Sequence, residues 1–151
     1  MTTVRVTERK DWKELAEMRM LLWPEGSYEE HLSELEAGPA LCQADFPLEW
    51  LVAEDESGAL TGFAEVGLRS HADGCDTRRP VGYLEGWFVR EEQRRKGIGA
   101  ALLRAAENWA RARGCKEMAS DALIDNVLSQ SVHDALGFEV VDRCVRFRKA
   151  L

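Results

Sequence analysis

The sequence predicts a mixed α/β domain with about six strands flanked by helices, and three observations predict it. Short apolar runs rich in aromatic and β-branched residues read as strands, at Trp50–Ala53, Leu60–Val66 and Tyr83–Val89. The last of these continues through a basic, glycine-containing turn, Gln93–Gly99, directly into a helical pattern, Ala100–Trp109. Further on, Asn126–Phe138 reads as a helix ending in Gly-Phe ahead of a final strand. A hairpin-rich start followed by strand–helix–strand–helix–strand is a mixed sheet with helical layers.

In order, Thr3–Val6 alternates as a short strand, and Thr7 is placed to cap a helix through Trp12, Leu15, Met18 and Leu22. Pro24 and Gly26 end that helix. Ser27-Tyr28-Glu29-Glu30 has the form of a capping box, so a second helix runs to about Ala37, with Gly38-Pro39 as its stop. This helix is acidic and thinly apolar, which suits a cover better than a core element. Glu56-Ser57-Gly58 is the turn between the second and third strands, and Ser70–Pro80 is a polar loop. The helix Gly97–Arg113 buries Ile98, Ala101, Leu102, Ala105 and Trp109, and Gly114 supplies its left-handed cap. Lys116–Ser120 is a strand leading into Asp121. The Asn126 helix then gives way to a sixth strand, Glu139 to Arg148. Without repeats, low-complexity segments or a linker, residues 1–151 form one domain.

A chain of 151 residues buries roughly two-thirds of its unfolded surface. No apolar run approaches the length of a membrane span, and no signal or transit pattern precedes the first strand, so a cytoplasmic protein is expected. Cys42, Cys75, Cys115 and Cys144 are widely spaced and lack neighbouring His, the pattern of reduced thiols rather than of disulfides or zinc; no metal is expected. The net charge of −7 is unevenly shared. Residues 1–80 hold 17 acidic and 8 basic side chains, whereas residues 81–151 hold 10 and 12. Between Arg19 and Arg69 there is no Lys or Arg, against 11 acidic residues. Many of these carboxylates belong to solvated helix faces, yet a field of one sign concentrates opposite charge. Nucleic acid is disfavoured as a partner, and a polycationic small molecule fits.

The basic turn carries the first candidate site. A strand, a turn with free backbone N–H groups and a helix N-terminus form an anion site, and Arg94, Arg95 and Lys96 add positive charge there. The expected guest is a phosphate or pyrophosphate; the ordinary alternative is a solvated basic loop. Glu85 stands inside an apolar strand beside Gly86. A carboxylate there needs a partner or a task, and a strand glycine often marks a bulge or a close approach. Asp121 follows a short strand at the sheet edge where α/β proteins place ligands, or else caps the next helix. Asp142 lies in the last strand, with Arg143 and Arg146 as alternative partners. Trp23 on its own reads as a core aromatic at a helix end.

Arg94-Arg95-Lys96-Gly97-Ile98-Gly99, followed by a helix that begins near Asn126 and ends Leu136-Gly137-Phe138, resembles the Gcn5-related N-acetyltransferase (GNAT) superfamily. The resemblance covers the whole chain in layout. It implies acetyl-coenzyme A as cosubstrate, with the pyrophosphate on residues Arg94 to Gly99, including Ile98, and the pantetheine arm between two splayed strands. It implies that Trp87, Phe88 and Val89 border the coenzyme, the N–H groups of Phe88 and Val89 serving the acyl oxyanion. Asn126 is implied as an amide for the pantetheine arm, with Ser129 in the same neighbourhood. His133 stands where many members carry a Tyr that protonates the departing thiolate; a structural His is the alternative. If the amine attacks directly, no nucleophilic side chain is required, and Glu85 is the candidate general base, acting through water.

A closer resemblance extends over nearly the full length. Leu22-Trp23-Pro24, Gly74-Cys75-Asp76, Leu84-Glu85-Gly86, Glu117–Asp121 and His133–Glu139 look like the aminoglycoside 6'-N-acetyltransferases of the domain-swapped-dimer type. That similarity implies transfer of acetyl to the 6'-amino group, with resistance to these drugs, and a homodimer. It implies that Trp23, Glu85, Asp121 and Asp142 line the acceptor pocket, Asp142 reaching the partner subunit's site. That group often carries Glu where this chain has Asp142, and a loop Tyr where this chain has Ser70-His71-Ala72-Asp73, which makes His71 the replacement candidate. Acetylation of polyamines or protein amines is the alternative within the enzyme class. A non-catalytic coenzyme A sensor is the alternative outside it, and the retained Glu85 and Asp121 argue against that one.

Overall fold

The computed structural model describes residues 1–38 and 46–151; Pro39 and Cys42 lie outside the described residues. A four-residue strand β1 (Thr3–Val6) leads into helices α1 (Trp12–Leu22) and α2 (Tyr28–Ala37), then a long meander of β2 (Leu48–Glu54), β3 (Leu60–Arg69) and β4 (Val81–Val89). Helix α3 (Ile98–Ala112), strand β5 (Met118–Ser120) and helix α4 (Val127–Ala135) complete the ordered elements. The sheet order is β1-β2-β3-β4-β5, antiparallel except for the β4–β5 pair.

Strand alternation divides the core into two layers. On one side Leu51, Ala53, Ala64, Val66 and Leu84 meet Ile98, Leu102, Leu103 and Ala106 of α3. On the other, Trp50, Val52, Leu60 and Phe63 meet Leu15, Ala16 and Met18 of α1 and Leu35 of α2. The acidic helix α2 is thus a cover with a real anchor, since Leu35 and His31 are buried beneath it. Its capping box forms as the sequence suggests: Ser27 Oγ accepts from Glu30 N–H at 3.2 Å, and Glu30 accepts from Ser27 N–H at 2.7 Å.

Two expectations are corrected. Thr7 is not a helix cap, because its N–H extends the β1 edge to the Trp50 carbonyl (3.0 Å); a single 3₁₀ turn at Arg9–Asp11 intervenes, closed by a reciprocal box between Glu8 and Asp11. The sheet has five strands among the described residues rather than six. Residues 139–148 pair with no strand among the described residues and are exposed throughout. The apolar alternation there is genuine, but a strand requires a ladder partner, and the arm meets none among the described residues. Val140, Val141, Val145 and Phe147 are left in solvent, Phe147 at 92% exposure.

Candidate active site

β4 pairs with β5 only over Gly82–Leu84, against Met118–Ser120. Beyond Leu84 its outer edge faces no strand among the described residues, so the sheet forks there. On the inner side, Arg90 N–H bonds the Thr61 carbonyl at 2.9 Å. Strand alternation then turns the Val89 N–H to the open edge and the Phe88 N–H into the β3 ladder. Of the two oxyanion candidates, Val89 is the one so placed; the Phe88 ring instead packs on Phe63, centroids 5.9 Å apart.

The basic turn lies at the far end of this edge. Arg95 is left-handed (φ 64°), the one such non-glycine among the described residues, and Gly97 is left-handed as well (φ 80°). A side chain at Gly97 would meet no obstacle, so the backbone angle alone favours glycine there. Two reversals within three residues aim the chain into α3, whose first N–H groups have no intrahelical acceptor. Arg94 is tied back to the Val89 carbonyl (3.1 Å), and Lys96 to Gln93 (3.0 Å). Arg94, Arg95 and Lys96 are all exposed. Trp87 supports the turn from below: its indole N–H donates to the Gly99 carbonyl at 3.0 Å. Ile98 is buried against the α3 face of the sheet. The residues present therefore fit a diphosphate-bearing ligand lying from the turn toward the fork.

At the fork, the β3–β4 register steps from Glu65↔Gly86 to Val66↔Leu84, leaving Glu85 as the extra residue of a β-bulge. Bulges re-aim a side chain, and this one presents Glu85 beside the fork. Glu85 is not free. Arg69, the last residue of β3, donates to both its oxygens at 2.8 and 2.7 Å. The same guanidinium lies 3.4 Å from the centre of the Tyr83 ring. The Tyr83 hydroxyl in turn donates to Asp121 at 2.6 Å. Glu85, Arg69, Tyr83 and Asp121 thus form one continuous row across the strand ends. Burial, then the bond to Asp121, raises the Tyr83 phenol above its usual range, and the Glu85 bond holds Arg69 protonated. Asp121 caps no helix, since Asn126 is the N-cap of α4.

Gly86 is the point of close approach that its place in a strand suggests. A Cβ there would fall 2.5 Å from the Trp23 ring. Trp23 ends α1, sits edge-on to Phe63 (6.1 Å) and stacks with His31 (6.4 Å), while Arg19 covers it at 5.2 Å. Beneath lies a buried Glu65, its pKa raised by burial despite the neighbouring Arg19.

The other candidates are placed as follows. Asn126 uses its side-chain oxygen to accept from Ser129 N–H (3.1 Å), leaving its amide N–H groups available. His133 is held at both nitrogens: Nδ1–H donates to the Ser129 carbonyl (2.7 Å), and Nε2 lies 2.9 Å from Ser120 Oγ. Its ring packs edge-on against Trp87 and Phe138. His71 is exposed and bonded to Ser70 (3.0 Å), apart from the row. Asp142 lies on the exposed arm and accepts only from Arg143 N–H (2.7 Å) among the described residues. Neither is brought to Glu85 within one chain by any hydrogen bond described. Arg69, Tyr83 and Ser120 were not singled out from sequence. Arg69 alone carried a signal, as the first cation after the long acidic run.

Residues 12–138 match the model of the acetyltransferase (GNAT) family. The chain belongs to that family. Among GNAT relatives, an aminoglycoside N(6')-acetyltransferase type 1 of Klebsiella aerogenes is 43% identical over 98% of this chain and 96% of its own length. An enzyme of the same name from Stenotrophomonas maltophilia is 38% identical over 99% and 94%. Among solved structures, the aminoglycoside N-acetyltransferase AAC(6')-Iy in complex with coenzyme A superposes with a TM-score of 0.89 at 35% identity, covering 100% of this chain and 96% of the other. The same enzyme with a bisubstrate analogue joining coenzyme A to acetylneamine gives 0.87 at 35% identity, with 100% and 99% covered. These matches extend the GNAT assignment across the whole chain.

Proposed function

We propose that this GNAT enzyme transfers the acetyl group of acetyl-coenzyme A to the 6'-amino group of aminoglycosides by direct attack of the amine, and so confers resistance to them. One observation carries the reading: a row of two carboxylates, Glu85 and Asp121, stands at the strand fork toward which the anion-binding turn leads. An aminoglycoside bears several ammonium groups, and the acidic N-terminal half is the electrostatic receiver for them. The relatives' activity agrees with that chemistry.

The residues divide the work. Acetyl-coenzyme A supplies the acetyl group as a thioester. N–H groups of residues 95–99, with Arg94, Arg95 and Lys96, hold its diphosphate, and Asn126 and Ser129 line the pantetheine side. The Val89 N–H is the donor for the acyl oxygen as charge gathers on it. Glu85 binds the acceptor and takes the amine proton through one water. Trp23 provides an apolar platform for the sugar ring.

The exposed arm 139–148 and the open edge of β5 are complementary deficits, and a second copy of the chain satisfies both. A homodimer that exchanges this arm carries Asp142 into the partner's acceptor pocket, with His71 at the rim. Sedimentation analysis is expected to give a dimer; a monomer would remove Asp142 from the site. The activity is tested by thiol release from acetyl-coenzyme A with kanamycin, spermidine or a lysine peptide. Turnover with kanamycin is expected. Turnover only with one of the other amines would reassign the acceptor.

A further inference from the structure

Glu85 is read here as an acceptor ligand, yet in the free protein its place is taken. Arg69 reaches diagonally across the β3–β4 pair, over the Tyr83 ring, and closes both oxygens of Glu85 with a two-pronged contact. It carries the same positive charge as the ammonium groups the row would receive, presented as a two-pronged fork rather than a point charge. It is also the one cation bonded to that row among the described residues, in a half of the molecule otherwise dominated by carboxylates.

We propose that Arg69 is a built-in competitor of the acceptor: its guanidinium fills the cation place at Glu85 in the free enzyme, and a polycationic substrate must displace it. The exchange is cheap. The Arg69 side chain is 42% exposed and that of Glu85 28%, so the pair is partly wet and contributes little beyond neutralising the carboxylate. Arg69 ends β3 and adjoins the polar loop 70–80, so its side chain has solvent to move into. The internal cation holds a part-exposed carboxylate neutralised while the site is empty. It also sets a threshold: an acceptor must bring enough positive charge to outbid one arginine, which favours polyammonium compounds over simple amines.

The inference rests on Glu85 as acceptor ligand, and calorimetric titration of kanamycin into the coenzyme A-bound protein tests the two separately. Arg69→Gln is expected to lower the kanamycin Kd about fivefold, the scale of a part-exposed ion pair, with Arg69→Lys also below wild type. Kanamycin binding to Arg69→Gln should become more salt-dependent, because Glu85 then lacks its internal counter-ion. Loss of a merely structural contact would weaken binding instead. An unchanged or higher Kd in folded Arg69→Gln overturns the inference. If that variant fails to fold by circular dichroism, a Kd in Arg69→Lys equal to or above wild type overturns it. Wild-type protein that binds no 6'-amino aminoglycoside overturns the acceptor reading itself, before any variant is compared.

Discussion

The two ends of the forked β4 edge are built from different materials. The end proposed to hold the coenzyme is backbone: left-handed turns at Arg95 and Gly97, the N–H groups opening α3, and the Trp87 indole fixing the Gly99 carbonyl. The end proposed to receive the acceptor is side chain: a bulged Glu85, an arginine from the neighbouring strand, a phenol and an aspartate 38 residues beyond it in sequence. Backbone donors are rigid and indifferent to what lies beyond the phosphate. Side-chain charges can exchange partners, which suits a site that must accept one polycation and release its acetylated form. On the proposed reading, coenzyme specificity resides in the loop and acceptor specificity in the row.

Variants of the two ends should therefore separate cleanly. The largest effect is expected for Glu85→Gln, which removes both proposed roles of Glu85, as general base and as ammonium ligand. Turnover should fall about a thousandfold, within the span of acid–base contributions, with coenzyme A affinity unchanged by calorimetry; normal turnover would remove Glu85 from the chemistry. Gly86→Ala drives a methyl to 2.5 Å from the Trp23 ring, and overpacking of this kind costs about 2 kcal/mol. Chemical denaturation and kanamycin titration should both register it, while the coenzyme affinity holds.

A third region calibrates the comparison because it belongs to neither end. Asp11 is buried and holds Arg5 at 2.7 and 3.0 Å, and the Arg5 bond lowers its pKa below the ordinary 3.8. A depressed carboxylate stabilises the fold above its unfolded pKa and loses that contribution as pH falls through the folded value. Asp11→Asn should cost about 1.5 kcal/mol at neutral pH, the scale of a charged hydrogen bond, and the gap from wild type should close as pH drops below 3.8. Thermal unfolding across pH measures it, and a gap independent of pH would contradict the assignment. The smallest effect is expected for Arg95→Ala. An exposed cation over a backbone-made site contributes about 1 kcal/mol, so coenzyme A affinity should weaken about fivefold with acceptor binding intact.

The same division governs what could be read without coordinates. The glycine turn, the α2 capping box and the alternating strands are local, and local chemistry shows in consecutive residues. Glu85 and Gly86 stood out because a charge and a glycine are each out of place in an apolar strand. Arg69 and Tyr83 did not, because the contacts that matter are 16 and 38 residues away in sequence and depend on the bulge to line up. Phe88 and Val89 looked equivalent until the Arg90–Thr61 bond fixed which N–H faces outward. The arm 139–148 has a strand's pattern and, among the described residues, no strand partner, and the pattern alone does not say where a partner would come from.

A crystal structure with coenzyme A and kanamycin both bound tests the central claim most directly. Diphosphate oxygens on the N–H groups just ahead of α3, the 6'-amine facing Glu85 across the fork and the Arg69 fork withdrawn are the expected result. A coenzyme held elsewhere, or a drug amine remote from Glu85, would contradict it.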